Sequence, residues 1–448
     1  MKQFIERLFQ QARAAGFDQC EVYATQSDSF RVNIFNGEID DYAVHETLGV
    51  GFRGLVEGKL GYAYGEATDG DAAAFLVNSA LQNARLLTGG EPALLYPGGG
   101  SYPALDQDDA AVRALDARAK IDLAQEMYRA MRACDPRIVS SRYCQVSTGA
   151  GHTWLYNSLG LALEQEDGML AAFALPVAKQ GEEMTSGLAF AAGRDPGAVD
   201  PGAIARLACE RALAQLGAAP LPSGRMPVIL RFDAMADLLS TFSGVFSADN
   251  AQKGLSLLAG KEGQAVASEA VTIVDDPLYP GGLSASAFDG EGVPTHTKAV
   301  VRRGELTTLL HNLKTAAKAG VETTGNAARA SAASPVTISP FHFYIQPGSQ
   351  PLEALAAQAG RGLVVTELEG LHAGANPVSG DFSLACRGFA VEGGRIGRPV
   401  NQVTLSGNFF QLLRNVAAVG SDLTFDMPGS ACFGSPSVLV GEMSVSGT

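Results

Sequence analysis

Apolar residues recur with a helical period at the start of the chain: Phe4, Leu8, Ala12 and Ala15 fall near one face of residues 2–16, and Gly16 supplies a C-terminal stop. The pattern then changes to strand-like runs at 21–25 and 30–35. Asn36-Gly37 marks a hairpin, because both residues tolerate positive φ, and 39–45 runs back. A second pair, 48–56 and 61–64, surrounds Glu57-Gly58. A helix over 71–86 follows, capped from Thr68/Asp69. After a Gly- and Pro-rich loop at 89–103, the order repeats: a helix over 117–133, strands at 138–148, 153–156, 161–166 and 169–177, and a helix over 202–216. Leu221-Pro222-Ser223-Gly224 combines turn formers with little apolar content and reads as a domain boundary. Beyond it come a strand at 226–230, a helix over 233–246, strands at 270–274, 299–301, 306–310, 336–343 and 362–367, and a block at 376–423 that ends in a helix over 409–416. The expected class is α+β with mainly antiparallel sheets. It comprises an N-terminal α/β sandwich-like domain at 1–220, with possible subunits 1–103 and 104–220, and a strand-rich C-terminal domain at 225–448.

Composition narrows the classes available. The chain has 448 residues, 46% of them hydrophobic, and 52 glycines, which suits sizeable cores joined by many tight turns. A net charge of −14 opposes duplex-DNA binding, which needs clustered Lys and Arg to displace counterions. No apolar run is long enough to span a membrane, and residues 1–17 lack the apolar stretch and cleavage site of a signal peptide. The six cysteines are scattered without a CxxC, as expected of reduced thiols in a cytoplasmic protein.

Generic catalytic motifs are weak. Gly49-Val50-Gly51-Phe52-Arg53-Gly54 spells GxGxxG, but it sits inside a predicted strand pair rather than between a strand and a helix. Gly260-Lys261 lacks the rest of a P-loop, and no G-x-S-x-G elbow is present. His45, His152, His296, His311, His342 and His372 show no metal-motif spacing, although His296 and His311 flank a predicted hairpin. Asp275-Asp276 and Asp289/Glu291 could serve acid–base chemistry, yet Asp275-Asp276-Pro277 and Gly290-Glu291-Gly292 read first as turns.

Several longer segments carry a resemblance. They are NPVSGDFSLACRGFAVEGGRIGRPVNQVTLSGNFFQLLRNVAAVGSDL at 376–423, EAVTIVDDP at 269–277, FDGEGVP at 288–294, and the stretch from Gly429 to Gly434 with Ser435-Pro436-Ser437. Their order and spacing resemble the TldD/PmbA family, once called modulators of DNA gyrase. One branch of that family carries HExxxH after two leucines. Here the matching segment is Leu238-Leu239-Ser240-Thr241-Phe242-Ser243-Gly244-Val245, so Ser240, Thr241 and Val245 replace the two His and the Glu. A zinc peptidase needs neutral imidazoles for the metal and a carboxylate to take a proton from its water. Residues five apart lie about 140° around an ideal helix, so the motif needs a helix end or a distorted turn. Cys432 lies near the family's Cys ligand.

The resemblance therefore implies the PmbA/TldE branch: a subunit without catalytic or metal-binding residues of its own, with zinc expected only in a TldD-type partner. It implies a heterodimer with that partner, a homodimer when alone, and extended peptides as ligands bound by strand addition. Asp289, Glu291 and Asp381 are the candidates for an internal peptide channel. Two rival readings are a stand-alone homodimeric peptide-binding protein and a hydrolase whose site lies outside the family motif.

Overall fold

The computed structural model describes residues 1–87, 94–105 and 107–448. Part of the 89–103 loop, where the two proposed N-terminal subunits would meet, lies outside the described residues.

The first 200 residues are organised by one seven-stranded sheet. Lys59–Gly65, Glu38–Val56, Gln19–Phe35, Ile138–Asn157, Ala162–Gln180 and Glu183–Ser186 lie side by side in that order, and Ala189–Gly193 also pairs with Ala162–Gln180. Four of these strands run for 17 to 20 residues, longer than the broken runs predicted. The middle of each strand is polar or glycine-rich. Gln26-Ser27-Asp28-Ser29 pairs with Glu46–Leu48 and His45 on one side and with 149–152 on the other. Backbone pairing carries the strands through this middle without an apolar pattern, so hydrophobic alternation marks only their ends.

Two separate cores explain those ends. Helices Lys2–Ala14 and Gly70–Leu86 pack Phe4, Leu8, Leu76 and Ala80 against Val22, Val50 and Phe52. Helices Ala117–Cys134 and Pro201–Ala214 pack Met127, Met131 and Ala208 against Val32, Val146 and Leu170. Asp69, Asp116 and Asp200 cap three of these helices through side-chain acceptance of backbone N–H groups.

The C-terminal half holds two six-stranded sheets. In one, Arg395–Asn408, Asp381–Glu392, Gly362–Glu369, Gly224–Leu230 and Val438–Ser446 are neighbours. Thr404–Ser406 pairs with 444–446 and closes these five strands into a barrel. In the other, Ile273–Asp275 and His342–Ile345 lie at the centre, and Cys432–Ser435 runs parallel to His342–Ile345. Pairing is otherwise mainly antiparallel, so the class is α+β. Helix Phe232–Phe242 packs against strands of both sheets and contributes Leu238, Leu239 and Phe242 to the largest core.

Three predicted elements are shorter than expected. The 233–246 helix ends at Phe242 and tightens into a 3₁₀ turn, Ser243–Phe246. The 409–416 helix ends at Arg414, and Val416–Val419 joins the barrel sheet as a strand. The 336–343 strand splits into Thr337–Ile338 and His342–Ile345 around Pro340.

Candidate functional site

Ser240, Thr241 and Val245 lie where the helix turns into the 3₁₀ segment. Ser240 and Thr241 are half-buried, and Val245 is 0% exposed inside the core. The Thr241 hydroxyl donates to the Asp237 carbonyl at 2.8 Å, and Ser243 donates to the Ser240 carbonyl at 2.8 Å. These groups serve the local backbone. None offers an imidazole or a carboxylate, so the residues present do not fit a catalytic zinc. Among the described residues, no three His, Cys, Asp or Glu side chains gather in a metal-binding arrangement.

Cys432 opens the strand that packs beside this helix, opposite His342 in the parallel register. Its Sγ lies 3.1 Å from Ser284 Oγ. The Ser284 N–H points at His342 Nε2, at 3.4 Å, while His342 Nδ1 lies 3.1 Å from the Asp276 carbonyl and donates to it. That tautomer leaves Nε2 as the acceptor. Burial lowers the His342 pKa, with the Asp276 carbonyl opposing, so the ring is neutral. Burial also raises the Cys432 thiol, opposed by Ser284. Only the strand register joins His342 to Cys432. Their separation in sequence carries no spacing signal, and sequence reasoning missed the pairing.

One turn before Thr241, Asp237 is pushed up to about 7 by burial and then by the charges of Asp426, Asp233 and Glu367. The acidic group therefore sits beside the emptied motif, not within it.

A cleft of about 290 Å³ separates the N-terminal sheet from the C-terminal half. Tyr23, Thr153, Gln165 and Asp167 form one wall; residues 283–286, 288–290, 327–329 and 339–341, with Gly429-Ser430, form the other. Arg329, which lines the cleft, belongs to a buried ion network behind it. Arg53 reaches both Glu21 oxygens at 2.7 and 3.0 Å, Arg329 also bonds Glu21, and Arg53 lies 3.8 Å from Glu291. Arg329 donates to the Gly290 carbonyl at 2.8 Å and stacks over Tyr23 at 4.7 Å. Burial alone would raise Glu21, but the two arginines overcome it and hold the carboxyl below its ordinary value.

The three channel candidates have different fates. Asp289 lines the cleft, yet its carboxylate accepts from the backbone N–H of Glu291, Val293 and Ala327 at 2.9–3.0 Å. Burial, then the Glu291 charge, pushes it up to about 7 despite those bonds. Glu291 lies behind the wall and accepts from the Leu313 N–H at 2.9 Å. Asp381 is exposed at the start of a barrel strand, accepts from the Asn408 amide at 2.9 Å, and does not line the cleft.

The fold is that of a two-part α+β protein with a cleft between its N-terminal sheet and its C-terminal half. Residues 223–447 match the PmbA/TldA metallopeptidase C-terminal domain, 111–216 the central domain and 20–84 domain 1. The chain belongs to the PmbA/TldD family. It is 32% identical over 298 residues to a metalloprotease of Methanothermobacter thermautotrophicus, a match spanning 64% of this chain and 63% of that protein. It is 25% identical over 414 residues to metalloprotease PmbA of Escherichia coli O157:H7, covering 91% and 88% of the two chains. A Thermotoga maritima crystal structure described as a modulator of a DNA gyrase superposes with a TM-score of 0.91 at 34% identity, covering 99% of this chain and 100% of that one. TldE from Thermococcus kodakarensis shares the fold, with a TM-score of 0.90 at 23% identity over 99% of this chain and 100% of that one.

Proposed function

We propose that this chain is a non-catalytic, TldE/PmbA-type subunit of a metallopeptidase assembly. A separate TldD-type chain with HExxxH supplies the zinc and the proton-accepting carboxylate. This chain holds unfolded peptides in extended form for processing or degradation. The carrying observation is the substitution of Ser240, Thr241 and Val245 into the motif helix, with Val245 sealed in the core. The cleft supports a peptide ligand: the adjoining ladder of Ala327–Ala328 with Thr337–Ile338 has no third strand among the described residues. The absence of a helix long and apolar enough to cross a membrane, among the described residues, is compatible with work in the cytoplasm.

The test is co-expression with an HExxxH-bearing family member from the same genome, followed by metal analysis and digestion of an unfolded peptide. The pair is expected to cut, and this chain alone is not. Activity should be lost when the partner's motif is mutated and kept when Cys432→Ser is made here. One zinc per isolated chain, lost together with peptidase activity in Cys432→Ser, would overturn the reading.

A further inference from the structure

Helices Ala117–Cys134 and Pro201–Ala214 pack against one another on the back of the N-terminal sheet. Each brings a cysteine to their contact. Cys209 is buried, and its Sγ donates to the Met131 carbonyl at 3.7 Å, which places it over the last turn of the first helix. Cys134 ends that turn, is exposed, and is close enough to the Cys209 thiol to act on it. The two thiols thus differ in access: solvent reaches Cys134, and Cys209 sits behind it.

Access favours chemistry at the outer thiol. Asp135, next to Cys134, is held by Arg137 at 2.9 and 3.0 Å, and Arg132 lies in the same last turn. Arg132 is turned to the Ile138 carbonyl, so access rather than charge sets Cys134 apart. Burial, then contact with Cys134, pushes Cys209 up to about 12, so it stays a thiol until a partner sulfur is activated beside it.

We propose that Cys134 and Cys209 form an oxidative modification site, in which a hydroperoxide converts Cys134 to a sulfenic acid and Cys209 resolves it as an interhelical disulfide. In the first step the Cys134 sulfur takes one peroxide oxygen, the O–O bond breaks, and hydrogen peroxide leaves as water. In the second, the Cys209 sulfur attacks the Cys134 sulfur, the S–O bond breaks, and the departing hydroxide takes the Cys209 proton as a second water. Two thiols are oxidised and one peroxide is reduced. The bond would staple the helices that cover the second core of the N-terminal sheet, and a dithiol reductant would release it.

The test uses the full chain, treated with hydrogen peroxide, quenched with an alkylating agent and mapped by mass spectrometry without reduction. The expected product is a single cross-linked peptide pair joining Cys134 and Cys209, short of two hydrogens, with a raised melting temperature that dithiothreitol reverses. Cys134→Ser and Cys209→Ala should each lose the cross-link and the shift. In Cys209→Ala, the Cys134 sulfenic acid should persist long enough to be trapped by dimedone. Should oxidised wild type instead carry only sulfinic acid at Cys134, or disulfides between two copies of the chain, with Cys209 still free, the proposal is wrong.

Discussion

At the residue scale, Asp237 is where burial and neighbouring charge have their clearest consequence. Its folded pKa is about 7 against an ordinary 3.8, raised by burial and by Asp426, Asp233 and Glu367. Between those two values the folded chain keeps a proton that the unfolded chain has released. The neutral carboxyl's contribution is therefore intact below pH 3.8 and is lost as pH rises through about 7. Asp237→Asn is expected to stabilise the protein at pH 8 by on the order of 2–4 kcal/mol, at about 1.4 kcal/mol per pKa unit. It should do little at pH 3.5, and denaturant titrations at the two values measure the difference. Asp289 titrates with the same sign and lacks this remedy, since an Asn there would give up one of the acceptors that serve three backbone N–H groups. Val245 gives the opposite lesson. Restoring the family's imidazole with Val245→His puts a polar ring into a fully buried apolar site. It should destabilise by about 2–4 kcal/mol, read as a lowered denaturation midpoint.

At the element scale, the ion network joins the long sheet to the C-terminal loops, because Glu21 and Arg53 stand on adjacent strands while Arg329 and Glu291 come from beyond residue 290. Glu21→Gln would leave Arg53 and Arg329 buried with one carboxylate at 3.8 Å from a single nitrogen. The expected cost is about 3–5 kcal/mol, accompanied by faster proteolysis between the halves near 221–224. Unchanged stability in a urea titration would mean that the network is dispensable. None of this was legible in the sequence, where Arg53 was only part of a false GxGxxG and Glu21 only the start of a strand. Contacts between residues hundreds of positions apart leave no local period. What was legible had local causes: Asn36 and Gly37, both at positive φ, turn the first hairpin, and the periodic faces of 2–16 and 117–133 mark two covering helices. Strand length was not legible, because Ser27, Gly149 and Gly151 continue a ladder of backbone bonds without apolar side chains. The family was legible through the resemblance, and the pairing of His342 with Cys432 was not, since only the parallel register brings them together.

At the scale of the whole molecule, one end of the long sheet is unfinished. Ile39, Tyr42 and Val44 continue the apolar face of Ile34, Val32 and Phe30, to which they pair directly, but they extend past the helices that bury that face. Phe35 at the same hairpin tip, and Val139 and Tyr143 on the next strand, are exposed too, but they alternate with the buried Ile34, Ile138 and Cys144 and so belong to the other face. An apolar group of this kind at a sheet end, in a chain whose partner we propose to be another family member, is the natural contact for a second subunit. The double substitution Tyr42→Asp and Val44→Lys removes apolar surface and adds opposite charges that cannot both suit an apolar contact. Each position is about half exposed, at 49% and 57%, so the fold should tolerate the change. Sedimentation of the isolated chain, and co-purification with the HExxxH subunit, are expected to show association in the parent and its loss in the variant, with unchanged circular dichroism. A variant that still associates as tightly as the parent would move the contact elsewhere. A parent that sediments as a monomer both alone and beside its proposed partner would defeat the subunit reading itself, because that reading rests on a second chain to supply the metal site that no three His, Cys, Asp or Glu side chains form among the described residues.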